Sequence, residues 1–428
     1  MGGYEPQPVS VRGGADGIEA HYDDMVEAAR LFGRAATDTG GASLALHGYL
    51  LDPGIYSSGL FDPVGAADFE AELAAALDGP GGLSWVAAEW GLLDVQLRSA
   101  AAAYLAADRL DTAAHDMLDG FVRLPAAAVQ SGETLARTGS VAGALNRLLT
   151  ADPELLDEAI GAFGGVRGTL AGGVSALLWD GHAVVRDGGV DQDPEAAAPP
   201  RCLADVMAGL ALRNYARHGE IDVRLLTRAD GSRAVIVDIP GTKSWDPLPN
   251  GDVTSLATNV RAVAGRPTAY EHGVLTAMQR AGVTPADDVM LVGHSEGGMV
   301  AVRTAIDATA SGQFHISHVV TAGSPIGAVA ARVPARVQVL ALENSGDLVP
   351  HADGATNPDR TNITTVAIRR DHGTVSANHD IEESYLPGAA DVDASGDASV
   401  RAFLGSAQRF FDARDVQTSR YVITRANW

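Results

Sequence analysis

The chain of 428 residues contains a single cysteine, Cys202, and a single lysine, Lys243. One cysteine excludes an intramolecular disulfide and any cysteine-built zinc or iron–sulfur centre. Aromatic residues make up 5% of the chain, and no uninterrupted apolar run of about 18 residues occurs, so a hydrophobic membrane-spanning helix is not expected. Basic residues are in the minority: 31 Lys and Arg against 54 Asp and Glu leave a net charge of −23 and a pI near 4.8. Such a surface repels phosphate backbones and anionic headgroups, which excludes nucleic acid as an expected partner. The opening MGGYEPQPVSVRGGADG lacks the basic and apolar regions of a Sec signal peptide. Neither H-E-x-x-H nor G-x-x-x-x-G-K-[ST] is present, and Gly164-Gly165-Val-Arg-Gly168 follows a helical pattern instead of a strand, so no cofactor or metal is implied.

What is present is globular: 46% hydrophobic and 20% charged residues, with a length that fits two units. Ile18, Tyr22, Met25, Ala29 and Phe32 recur at helical spacing, and Leu93, Leu97, Ala100, Tyr104, Ala107, Ala114, Leu118 and Phe121 keep the same rhythm. The two stripes predict packed antiparallel helices, with a short helix at 66–78 between them and another starting at Asp152-Pro153. Residues 187–200, DGGVDQDPEAAAPP, read as a linker. The expectation is a helical domain over 1–186, that linker, and a second domain over 201–428. In the second, Ile221–Leu226 and Ala234–Ile239 flank Ala229-Asp-Gly231 as a hairpin. Strands at 289–292, 318–321, 337–342 and 364–368 then alternate with helices near 267–281 and from about 296. That alternation predicts a doubly wound, mainly parallel α/β sheet.

The stretch Val289-Met-Leu-Val-Gly-His-Ser-Glu-Gly-Gly298 sets Ser295 between glycines on a strand-to-helix turn, the G-x-S-x-G nucleophile elbow. The competing reading, a turn serine in a chain with 49 glycines, carries no strand–turn–helix context. A serine hydroxyl needs a histidine base, which needs an orienting carboxylate. Asp347, in the loop after the strand ending at Leu342, is the candidate acid, with Glu343 in reserve. Among the downstream histidines His379 ranks first and His372 second, while His351 reads as a pocket or surface residue and His294 as packing on the sheet. Oxyanion donors are expected from the Glu296 backbone N–H and from Thr242, by N–H and hydroxyl, in Pro240-Gly-Thr-Lys243. Trp245 and Leu248 would line an acyl pocket.

These residues carry a resemblance. The second domain resembles an α/β-hydrolase and is similar to the class 3 lipase pattern: Pro240-Gly-Thr242, the elbow Gly293–Gly297 continued by Gly298, Asp347-Leu-Val-Pro350 and the late His379. The resemblance implies a Ser295–His379–Asp347 esterase or lipase acting on a small-molecule or lipid ester. Glu296 departs from it, since a neutral residue is commoner there, and no long apolar lid stands between Trp245 and Thr268, which favours smaller or more soluble esters. A thioesterase or amidase would use the same residues, and a non-catalytic binding protein with an inactive hydrolase domain is the alternative from another class. The amino-terminal half resembles, more distantly, helical-hairpin proteins of actinobacterial type VII (ESX) secretion. Tyr104-Leu-Ala-Ala-Asp108 fits Y-x-x-x-D/E, although Tyr104 also sits on the buried stripe, and the W-x-G turn is absent. Localisation is thus open between type VII export and the cytoplasm, and the helical part could serve as lid, dimer contact or export contact.

Overall fold

The computed structural model describes residues 7, 9–58, 62–79, 81–95, 97–98, 180–191, 196, 198–244, 251–263, 266–353 and 355–426. The chain divides into two compact units, Glu19–Ala113 and a second formed by Met1–Ile18 with Ala114–Trp428.

The second unit is built on a sheet that, among the described residues, has nine strands: β1 (Ser10–Gly13), β2 (His182–Val190), β3 (Glu220–Arg228), β4 (Arg233–Ile239), β5 (Asp288–His294), β6 (His315–Ala322), β7 (Gln338–Asn344), β8 (Ile363–Ile368) and β9 (Ala413–Ala426). Their order is β1-β8-β7-β6-β5-β4-β3-β9-β2. β4 to β8 form a parallel centre, and the flanking strands run antiparallel. Helices cover both faces, and β5 shows why its sequence is apolar without alternation: Val289 and Leu291 enter one core, Met290 and Val292 the other. The predicted hairpin is β3–β4, pairing Leu225 with Val235. The expected helices are found at Ala269–Arg280 and Glu296–Ser311.

The sheet reaches beyond the expected boundary at 201. β1 pairs with β8, Ser10 beside Ala367, and β2 pairs with β9, His182 beside Ala426. The stretch 187–200 therefore begins as strand and not as linker. Its glycines mark a bulge between Asp187 and Gly189, and Asp191 beyond it is buried against Arg213 (3.1 Å) and Arg420 (2.6 Å).

In the first unit the helix Ile18–His47 stands where the first stripe predicts one, with Ala29 buried and Met25 and Phe32 half-buried. The helix expected at 66–78 starts earlier, at Pro63, because the Asp62 side chain caps it by accepting from the Gly65 N–H at 3.0 Å. A further helix occupies 83–95. The stripe from Ala100 to Phe121, the Tyr104–Asp108 pattern and the Asp152 helix start lie outside the described residues. No helix among the described residues is long and apolar enough to cross a membrane.

Candidate active site

The loops leaving the carboxyl ends of β4, β5, β7 and β8 carry the candidate residues, the end of a parallel sheet at which such folds collect reactive groups. Ser295 follows β5 directly with φ 56° and ψ −124°, and it is the only non-glycine among the described residues with positive φ. That backbone costs roughly 1–3 kcal/mol unless its surroundings hold it. The Ser295 N–H donates to the Ala322 carbonyl (2.9 Å) and its carbonyl accepts from Gly298 N–H (3.1 Å). A Cβ on Gly297 would meet the Ile239 carbonyl at 1.9 Å, and one on Gly293 the Gly297 carbonyl at 2.3 Å, so the turn closes only with both glycines. Glu296 opens the following helix, whose first N–H groups have no intrahelical acceptor and carry its positive dipole end.

Asp347 is 1% exposed. Its Oδ2 accepts from His379 Nδ1 at 2.7 Å and from the Tyr385 hydroxyl at 2.5 Å, and its Oδ1 accepts from the Val349 N–H at 2.9 Å. His379 ends the short helix Val375–His379, which Thr374 caps. A single π-turn, Ile381–Tyr385, then swings Tyr385 back over the aspartate. Burial, followed by the Asp347 charge, pushes the Tyr385 phenol well above its usual range, so it stays a donor. His372 is exposed, its backbone N–H donating to Asn378 Oδ1 (2.7 Å), and Glu343 is engaged by Asn357 Nδ2 (2.6 Å). The reserve candidates therefore stand apart from the His379–Asp347 pair.

Sequence reasoning missed several contributors, and His294, expected to pack on the sheet, faces the histidine loop instead. His294 packs its ring 4.6 Å from that of His379 and 5.8 Å from that of Tyr385, and its Nε2 donates to the His379 carbonyl at 2.9 Å. The residue before the serine thus holds the histidine loop. Burial, then the neighbouring His379, lowers its imidazole to about 3, so no second cation forms beside His379. Asn344 Nδ2 donates to the carbonyls of Arg370 (2.8 Å) and Asn378 (2.9 Å), and Asn378 Nδ2 to that of Gly346 (2.9 Å), which joins the aspartate and histidine loops. No spacing rule announces these residues. The one available signal is that Tyr385 and Asn378 share the Ser376–Tyr385 stretch with His379.

On the opposite side, Gly241 lies against the serine: a Cβ there would sit 2.9 Å from Ser295 Cβ. The sole lysine anchors this loop. Lys243 Nζ donates to the carbonyls of Arg213 (2.7 Å), Asn214 (2.6 Å) and Ala216 (2.8 Å), closing the end of the helix Leu203–Asn214. Burial lowers its ammonium to about 8. The Thr242 hydroxyl differs from expectation, because it donates to Glu296 Oε2 (2.9 Å). Trp245 and Leu248 lie outside the described residues. His351 lines a cavity of about 190 Å³ with Ser10, Arg12, Glu343 and Thr365, and not with Ser295 or His379.

Residues 270–382 match the PGAP1-like alpha/beta domain family. No curated protein matches the chain. Among solved structures the chain is similar to EstE1, a thermostable carboxylesterase from a metagenomic library, at 12% identity and TM-score 0.24, over 59% of this chain and 98% of that one. It is also similar to a hyperthermophilic esterase from the archaeon Pyrobaculum calidifontis, at 12% identity and TM-score 0.23, over 59% of this chain and 94% of that one. The parallel centre with its strained serine turn, and the family match that covers β5 to β8, make the larger unit an α/β hydrolase by fold.

Proposed function

We propose that the protein is a serine hydrolase of carboxylic esters, working through an acyl-enzyme on Ser295. The observation that carries this reading is the hydrogen bond from His379 to the buried Asp347, with the His379 backbone held by His294, the residue next to a serine on a strained elbow. In the reaction His379 takes the Ser295 proton as the hydroxyl attacks the ester carbonyl. Asp347, held by Tyr385 and the Val349 N–H, fixes the imidazole and stabilises its cation. The N–H groups of Glu296 and of Thr242 donate to the oxyanion. His379 then returns the proton to the alcohol, and water, activated by the same histidine, releases the acid.

The absence of a long apolar lid between Trp245 and Thr268 favours short or soluble acyl chains over triglycerides. Hydrolysis of p-nitrophenyl esters over a ladder of acyl lengths tests the proposal: turnover is expected at short chains and is lost by at least about a thousandfold in Ser295→Ala. Undiminished turnover in a folded Ser295→Ala preparation would falsify it. Faster cleavage of matched thioesters or amides would move the substrate class and keep the residues. Type VII export is a further proposal, supported by Tyr104-Leu-Ala-Ala-Asp108 alone; loss of export in Tyr104→Ala with unchanged hydrolysis is the expected result.

A further inference from the structure

Glu296 departs from the family pattern by its charge, and its surroundings are built for an uncharged acid. Its side chain is buried, at 1% exposure. Oε2 accepts from the Thr242 hydroxyl at 2.9 Å, and that hydroxyl accepts in turn from Asn259 Nδ2 at 2.6 Å. An amide nitrogen can only donate, so the order of the chain is fixed: Asn259 to Thr242 to Glu296. Oε1 has no hydrogen-bond partner.

The charged and titratable groups facing Glu296 come from four elements. Asp252 belongs to the segment before the helix Leu256–Val263, Asp180 precedes β2, Arg425 lies on β9 and Tyr270 on the helix Ala269–Arg280. The one cation, Arg425, is committed to Asp180 (2.7 Å) and Thr258 (2.7 Å), and Tyr270 donates to the Pro240 carbonyl (3.1 Å). A third carboxylate buried here would face the other two with no cation left for it, and such a group takes up a proton instead. Burial accordingly pushes the Glu296 carboxyl well above its usual range. This side-chain bond connects the Pro240–Lys243 loop to the serine turn.

We propose that Glu296 is a positioning residue: as a neutral acid it latches Thr242, and with it the loop after β4, against the serine turn. The proposal rests on the reading of Ser295 as nucleophile and adds to it the alignment of the two oxyanion donors. A threonine N–H displaced by a fraction of an ångström misses the developing oxyanion while substrate still binds, so the effect belongs in kcat.

The test uses the full chain and one p-nitrophenyl ester, with Ser295→Ala measured alongside. Glu296→Leu is expected to lower kcat about 10- to 100-fold, with KM within about twofold of wild type. Glu296→Gln, which still accepts from Thr242, is expected to restore most of that rate. Infrared difference spectra of wild type minus Glu296→Gln at neutral pH should show the C=O band of a protonated carboxyl. The latch is refuted if Glu296→Leu turns over like wild type, if Glu296→Gln is as slow as Glu296→Leu, or if no such band appears. Should Glu296→Leu fail to fold, Thr242→Val, which removes the donor of the same bond, takes its place with the same expected loss, and wild-type kcat in Thr242→Val refutes the latch. Full activity in Ser295→Ala would instead overturn the ester-hydrolase reading, and the infrared band would still report on Glu296.

Discussion

Each unit of the protein contains a histidine bonded to an aspartate with a serine nearby, and the two sets differ in everything except contact distance. In the helical unit His47 Nε2 meets Asp78 Oδ2 at 2.8 Å, and Ser43 Oγ lies 3.5 Å from His47 Nδ1. In the α/β unit His379 Nδ1 meets Asp347 Oδ2 at 2.7 Å. Asp78 is 57% exposed and Asp347 is shut away. Ser43 sits within a regular helix, bonded to Ser84 Oγ (2.9 Å), and His47 Nδ1 is taken by the Ser43 carbonyl (2.7 Å). Ser295 has a strained backbone cleared by glycines and a helix start behind it. Residue type and separation do not tell the two sets apart. Burial of the acid, backbone strain at the serine and a second layer that fixes the histidine do, and the catalytic role proposed for the α/β set rests on them.

Replacing the two histidines should give the largest contrast. His379→Ala is expected to lose about three orders of magnitude or more in kcat, and His47→Ala none, by steady-state ester hydrolysis. His372→Ala should stay within a few-fold of wild type; a loss in His372→Ala equal to that in His379→Ala would move the base. Packing gives the next contrast. Leu291 is fully buried in the α/β core, and Leu291→Ala should cost about 2–5 kcal/mol in denaturant unfolding. Leu92 is 57% exposed, and Leu92→Ala should stay within about 0.5 kcal/mol. Tyr385→Phe removes one of the donors to the buried carboxylate and should lower kcat about 10- to 100-fold with little change in KM. No change would reduce Tyr385 to a packing residue.

The smallest effect concerns pH. The hydrogen bond to Asp78 raises the His47 imidazole above its ordinary 6.5. A raised folded value means that its contribution is complete below 6.5 and fades as pH rises through the raised value. Amide exchange in the helical unit should therefore quicken between about pH 6 and about pH 9 more in wild type than in His47→Gln, and less so at high salt, because the pair is exposed. His294, at about 3, should give no such dependence over that range.

The parallel centre was legible because buried strands write themselves as apolar runs: Val289–Val292 faces two cores and needs no alternation. β1 was not, since four residues, Ser10–Gly13, carry too little pattern, and the Gly188–Gly189 bulge disguised the end of β2 as a linker. β9 shows its alternation only from Val416 onward, between polar residues that gave no turn signal. In the site, Ser295, Asp347 and His379 could be chosen from residue chemistry, order and loop position. Tyr385, His294 and Asn344 could not, because their roles arise from contacts across loops remote in sequence. Thr242 was expected to offer its hydroxyl as well as its N–H, but a hydroxyl's partner depends on which neighbouring acid is buried, and Glu296 takes it.

The strand order also sets a timetable for the molecule's birth. β1 is made before the other described strands of the sheet, yet its neighbour β8, with Ala367 beside Ser10, follows more than three hundred residues later. β3 and β2 lie on either side of β9, the last strand of the sheet. A chain still on the ribosome can assemble the parallel centre with β1 and β3 on its edges while β2 stays unpaired and the outer edge of β3 stays open to wrong partners. Closure of that margin, and shelter from aggregation with it, waits for β9.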